Sequence, residues 1–250
     1  MTLRAHDLTL AGRLAGVSLT LAPGQVTAIC GPNGAGKSSL LTCLAGLVPP
    51  TGGDVSLDDG ALAAIPASDR ARAIGYLPQQ AHVAWDLSVE TLVALGRLPW
   101  NRDRSEDASA ITAAIAALDL ADLRRRPVGQ LSGGERARAL LARVLAGQPR
   151  WLLADEPLAN FDLMHQQALL AQFRNLAGQG MGVVLVLHDL AQAMNHADRV
   201  VVMHGGKIAA DGHPETVLDT AIIARVWQTG ARWLGDPGQR ALALGPVRAR

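Results

Sequence analysis

The spacing of apolar positions divides the chain into contrasting textures. Short β-prone runs broken by Gly and Pro fill residues 1–30, as in "LTLAGRLAGVSLTLAPGQVTAIC", and read as strands and turns. Gln25–Cys30 is a compact apolar strand followed by a glycine-rich loop. Leu40, Leu41, Leu44 and Leu47 then take helical spacing until Pro49 and Pro50 stop it. Gly52–Gly60 reads as a hairpin arm and Ala73–Gln80 as a strand leading to a loop. From about Leu87 to Ala146 the period becomes that of helices. There Ser88 is a candidate N-cap, Leu87, Leu92, Val93 and Leu95 face a core, and Ala108, Ile111, Ile115 and Leu118 share one face. Strand texture returns at Arg150–Glu156, Met181–Asp189 and Arg199–Gly212, and a mixed appended segment follows. The pattern is an α/β strand–helix core interrupted by a helical insert.

Composition narrows the class. Across 250 residues, 49% hydrophobic content is ample for a core, and 18% charged is ordinary for a globular protein. The net charge of +1 supplies no bulk field for nucleic acid or anionic lipid. "LRRRP" at Leu123–Pro127 reads as a solvated face. Cys30 and Cys43 are the only cysteines and form no CxxC pair, which fits a reducing cytosol. No apolar run reaches the roughly 18 residues a membrane span needs. "MTLRAHDLTL" carries no signal-peptide apolar region. The expectation is a cytosolic chain that reaches a membrane only by docking.

The chemistry concentrates in a few motifs. "GPNGAGKS" (Gly31, Pro32, Asn33, Gly34, Ala35, Gly36, Lys37, Ser38) fits G-x-x-x-x-G-K-[ST], after a strand and opening a helix that continues with Ser39. Its glycines let backbone N–H groups converge on phosphates, Lys37 reaches the β/γ-phosphates, and the Ser38 hydroxyl ligates Mg²⁺. The chain is therefore expected to bind a nucleoside triphosphate. "WLLADE" ends a buried strand in Asp155, suited to hold Mg²⁺ through water, and Glu156, suited to act as general base. His188 ends "VVLVLH" at the same sheet edge and is expected to touch the γ-phosphate. Gln79 follows "GYLP" in a loop. "LSGGERARAL" (Leu131–Leu140) combines the S-x-x-E spacing of a capping box with two glycines that cost roughly 1 kcal/mol each in a helix. Backbone exposed at a positive helix end makes a second anion site.

Cradle, Gln79, LSGGE, acidic strand end and His188, in one order along the whole chain, resemble the ATP-binding subunits of ABC transporters. The resemblance implies a RecA-like P-loop NTPase core with a mixed sheet (residues 1–84 and 148–212, with an antiparallel β arm). It further implies a helical subdomain (85–147) and a C-terminal tail packed on the core (213–250). Two chains would form a head-to-tail dimer in which Ser132, Gly133, Gly134 and Glu135 face the ATP held by the partner's cradle. Mg²⁺ would be held by Ser38, Gln79 and Asp155, with Gln79 and His188 sensing the γ-phosphate. "ANFD" (Ala159–Asp162) occupies the D-loop position, with Asp162 at the dimer seam. It departs from S-A-L-D at three of four places, leaving roles for Asn160 and Phe161 open. The aromatic that usually stacks on adenine is absent from "LTLAGRLAG"; Arg13 either stacks its guanidinium there or is solvated.

"DLSVETLVALGRLPW" (Asp86–Trp100) and the late "RWLGDPGQRALALGP" resemble importers of iron–siderophore complexes, haem and cobalamin. The resemblance implies a peripheral ATPase on the cytoplasmic face of the membrane, docked on transmembrane permease subunits and served indirectly by a substrate-binding protein. Gly96 and Arg97 are expected to reach the permease. Other cargo, such as a metal ion or an exported substrate, remains an alternative. So does a soluble non-transport ABC ATPase, although the chain shows neither two cassettes nor a basic face for nucleic acid.

Overall fold

A computed structural model describes residues 2–79, 87–100, 104–159 and 161–247. Asp86 and Asn160 lie outside them. In chain order the elements are β1 (Leu3–Leu10), β2 (Leu14–Leu21), β3 (Val26–Cys30), α1 (Lys37–Leu44), β4 (Gly52–Leu57), β5 (Gly60–Ala61), α2 (Ala67–Ala73) and β6 (Ile74–Leu77). Three helices follow: α3 (Val89–Ala94), α4 (Arg104–Ala117) and α5 (Gly133–Ala146). The chain then returns to β7 (Trp151–Asp155), α6 (Leu163–Gly178), β8 (Gly182–Val186), α7 (Leu190–His196), β9 (Arg199–His204) and β10 (Lys207–Gly212). It ends in α8 (Pro214–Val217), α9 (Thr220–Trp227), β11 (Thr229–Leu234) and β12 (Ala241–Val247).

The central sheet runs β10–β9–β3–β8–β7–β6 and is parallel except for β10. Every residue of β3, β7 and β8 is buried, as strands covered on both faces must be. Alternate residues serve opposite layers. Val183 and Leu185 of β8 join the helical side, where α5, α6 and α7 pack. Val184 and Val186 face α1 and a second sheet of order β2–β1–β4–β5. That antiparallel arm presents the alternating apolar face of β2 (Leu14, Val17, Leu19, Leu21) to the core.

Several local expectations change. Ala108 is exposed; the buried face of α4 is Ala110, Ala114 and Ile115, with Leu118 buried just beyond its end. Leu95 and Leu47 are also exposed, because the regular turns of α3 and α1 end before them. Beyond residue 213 the chain forms two short helices and a hairpin, whose Trp227, Trp233 and Leu242 pack on the main core. The Trp233 indole N–H donates to the Leu218 carbonyl at 2.7 Å.

Gly96 and Arg97 do not reach outward. A Cβ on Gly96 would collide with the Arg143 carbonyl oxygen, so this backbone lies flat against α5. Arg97 is 4% exposed; it donates to Asp107 Oδ1 at 2.7 Å, the Ala146 carbonyl at 2.9 Å and Gln148 Oε1 at 3.1 Å. A guanidinium with this many acceptors is stable inside, and its fork explains why an arginine sits here.

Candidate nucleotide site

Strand order builds the site. β3, β8, β7 and β6 are adjacent and parallel, so their carboxyl ends form one row, the place where open α/β sheets bind ligands. The cradle leaves β3, His188 follows β8, Asp155 and Glu156 end β7, and Gln79 follows β6. A pocket of about 600 Å³ is lined by Arg13, the loop from Asn33 to Ser39, Gln79, Glu156 and His188.

The loop is possible only with glycine. Gly36 has φ +98°, and a Cβ there would stand 2.6 Å from the Arg13 carbonyl oxygen. Gly31 has φ +153° and faces the Met203 carbonyl oxygen too closely for any side chain. The backbone thus curls against β9 and the β1–β2 turn. That contact also brings Arg13 to the pocket rim, where its side chain is exposed.

Lys37 is only 6% exposed, and its Nζ donates to the carbonyls of Gly31 at 2.8 Å and Pro32 at 3.0 Å. Burial pushes its pKa down, while Glu156, Cys30 and Asp155 pull it back up. Burial likewise raises Cys30 to about 12, which keeps that thiol protonated beneath the loop. The Asp155 carboxyl is pushed up, first by burial, against the Ser38 hydroxyl, which favours its charged form. Asp155 Oδ1 is buried without a hydrogen-bond partner. Such an oxygen is costly unless a cation or donor meets it, so the site fits Mg²⁺. Among the described residues no cluster of three or more His, Cys, Asp or Glu forms.

Glu156 adopts φ +51°, turning its side chain sharply out of the strand end. One carboxylate oxygen, Oε2, accepts from Gln79 Nε2 at 2.6 Å, and Oε1 hydrogen-bonds to His188 Nε2. Gln79, Glu156 and His188 are therefore one unit.

The second glycine motif lies apart from this pocket. Ser132 caps α5: Glu135 N–H donates to Ser132 Oγ at 3.3 Å, and Ser132 N–H to Glu135 Oε2 at 2.8 Å. Those bonds hold the Glu135 carboxyl below its usual range. None of Ser132, Gly133, Gly134 and Glu135 lines the cradle pocket. A Cβ on Gly134 would meet only the Phe161 ring, at an ordinary 3.6 Å. Nothing among the described residues therefore demands glycine at that position. Asp162 caps α6, accepting from the His165 N–H at 2.9 Å and pairing with His165 Nδ1 at 2.7 Å.

The roles of Trp100 and of a buried Arg97 are not evident from local pattern; the nearest signal is Arg97-Leu98-Pro99-Trp100 and, ten positions after Arg97, Asp107. The ABC transporter family profile matches residues 14–159. The chain belongs to the ABC transporter family. This ABC ATPase is 43% identical over 99% of its length to the hemin import ATP-binding protein HmuV of Nocardia farcinica, covering 90% of that protein. It is 41% identical to the HmuV of Bordetella pertussis, with 95% of this chain and 96% of that one aligned. Among solved structures, one chain of a transporter described as metal-chelate type, in an inward-facing conformation, superposes with TM-score 0.83 over 98% of this ATPase and 97% of that chain, at 24% identity. Another, a dimeric bacterial ABC transporter cassette, superposes with TM-score 0.76 over 85% of this ATPase and 99% of its own length, at 23% identity. These two likenesses concern the fold. The family binds ATP and couples its hydrolysis to transport. No helix among the described residues is long and apolar enough to cross a membrane.

Proposed function

We propose that this ABC ATPase powers haem import through a separate transmembrane permease, working at the cytoplasmic face of the membrane as an ATP-sandwich homodimer. The alignment of four strand ends into one Gln79–Glu156–His188 unit beside the Lys37 cradle carries the hydrolytic part. The haem assignment draws on the names of relatives aligned over nearly the whole chain.

In this reading Gly31 to Ser39 wrap the triphosphate with backbone N–H groups, and Lys37 trades its loop carbonyls for β/γ-phosphate oxygens. Ser38 and Asp155, with Gln79 alongside, would hold Mg²⁺, which neutralises phosphate charge when bound. Glu156 accepts the proton of the attacking water. Gln79 and His188 set its carboxylate in place and report the γ-phosphate. Ser132, Gly133 and Gly134 close over the partner's ATP, with Asp162 at the seam. The glycine at 134, on which no described residue makes a demand, then serves close backbone approach to phosphate. Arg13 supplies its guanidinium plane to the base.

The test is capture of the tagged chain from detergent-solubilised native membranes, followed by reconstitution of the captured complex in liposomes. A polytopic permease in about equal amount and ATP-dependent haem uptake are expected, since a C2 engine serves a matching pair of subunits. Capture of ribosomal or DNA-repair proteins would overturn the transport reading. Uptake of iron–siderophore or cobalamin instead of haem would overturn the cargo.

A further inference from the structure

The segment from Gly96 to Trp100 is built as a fastening between two parts of the molecule. Trp100 Nε1 donates to the carbonyl of Gly147, the residue that ends α5, at 2.8 Å. The guanidinium of Arg97 lies over the Trp100 ring at 4.8 Å and also grips Ala146 and Gln148. The guanidinium of Arg72, on α2 beside the central sheet, lies over the same ring at 5.4 Å. Arg72 Nε donates to the Pro99 carbonyl at 2.7 Å. One indole therefore touches the sheet side of the molecule through Arg72 and the last turn of α5 through Arg97 and Gly147.

The last turn of α5 is also where that helix meets the central sheet. A Cβ on Gly75 of β6 would stand 2.5 Å from Val144 and 2.9 Å from Pro149, so strand and helix end are in the closest contact there. Just beyond, Gln148 takes φ +49°. Gly133 and Gly134 occupy the other end of α5. Fourteen helical residues at 1.5 Å each put the two ends about 20 Å apart. A tilt of about 10° at the fastened end moves the glycines by about 3.5 Å, a whole hydrogen-bond length.

We propose that Trp100 is a positioning residue: clasped by Arg72 and Arg97, it sets the angle at which α5 leaves the core and thereby the placement of Ser132–Gly134 over the partner's ATP. It touches no nucleotide. The inference rests on the trans-acting signature of the proposed function.

The purified full chain is compared with Trp100→Ala, Trp100→Phe and Arg72→Ala. Affinity for ADP, which needs only the cradle, is measured beside kcat and KM for MgATP. Trp100→Ala is expected to lower kcat about tenfold, with KM and the ADP Kd within twofold of wild type. Trp100→Phe, which keeps a ring under both guanidinium groups, is expected to recover at least half of kcat. Arg72→Ala leaves the Arg97–Asp107 pair intact and is expected to lower kcat about threefold. The inference is overturned if Trp100→Ala and Arg72→Ala both keep kcat within twofold. It is equally overturned if Trp100→Ala loses ADP affinity in step with kcat while Arg72→Ala stays normal, for then Trp100 only supports the fold. A wild-type chain that hydrolyses no ATP overturns the functional reading and this inference with it.

Discussion

Replacing Arg97 with Ala separates an inward, structural arginine from one that meets a permease. The guanidinium makes a charge-assisted bond to Asp107 at 2.7 Å and caps the buried Ala146 carbonyl at 2.9 Å. Truncation loses the first interaction, of about 1.5–3 kcal/mol, and leaves the carbonyl unsatisfied at about 1–3 kcal/mol. Asp107 is about a quarter exposed and can rehydrate, which lowers the first figure toward its minimum. The net expected loss is about 3 kcal/mol. For a chain of this size, each kcal/mol shifts Tm by roughly 2–4 °C, so a drop of about 9 °C is expected. Arg97→Lys keeps a charge but not the fork, and should fall in between. Thermal unfolding of the purified chain reads the effect, with a urea titration as a second measure. A Tm within 2 °C of wild type, together with lost capture of the membrane partner, would refute the reasoning.

Other outcomes follow from the site. Glu156→Gln should keep ATP binding and lose at least about a hundredfold in turnover, the scale of a general base; near-normal turnover would require another base. Asp155→Asn should abolish Mg²⁺-dependent hydrolysis yet stabilise the nucleotide-free chain near neutral pH. The sign follows from its raised pKa. Folded Asp155 holds its proton more tightly than the unfolded chain does, so its favourable share of stability is complete below 3.8 and is lost as pH rises through the folded value. The variant's gain should therefore vanish below that pH in a stability–pH profile; a gain that persisted there would contradict burial as the cause. Gly36→Ala should remove nucleotide binding, measured by calorimetry, because φ +98° and the Arg13 carbonyl both oppose a Cβ. Arg13→Ala should weaken ATP about fivefold at most, as loss of an exposed cation–π contact allows, and an unchanged Kd would remove Arg13 from the base site.

The cradle glycines and the cap of the signature helix were legible because backbone requirements dictate their residues. A loop with φ +98° at Gly36 admits glycine, and a capping box needs Ser132 and Glu135 at fixed spacing. The convergence of Gln79, Glu156 and His188 was legible only in part. Each ends a strand, but strand order, which local pattern does not encode, decides that those strands are neighbours. The segment around Arg97 was misread for a related reason. Charged side chains are usually outside, and the acceptors that hold this one inside come from Asp107, Ala146 and Gln148, as far as 51 positions away. The terminal hairpin is hard to read because its strands are only partly buried, and apolar Leu234 and Leu244 lie exposed among them.

The central claim is that each ATP is hydrolysed between one chain's cradle and the other's signature. Complementation tests it most directly: Lys37→Ala and Ser132→Arg are purified, shown to be inactive alone, and mixed in equal amounts before measuring ATP hydrolysis. Random pairing makes half the dimers mixed, each with one intact site of two, so about a quarter of wild-type activity should return. A mixture as inactive as its components, although dimers form, would contradict the shared site.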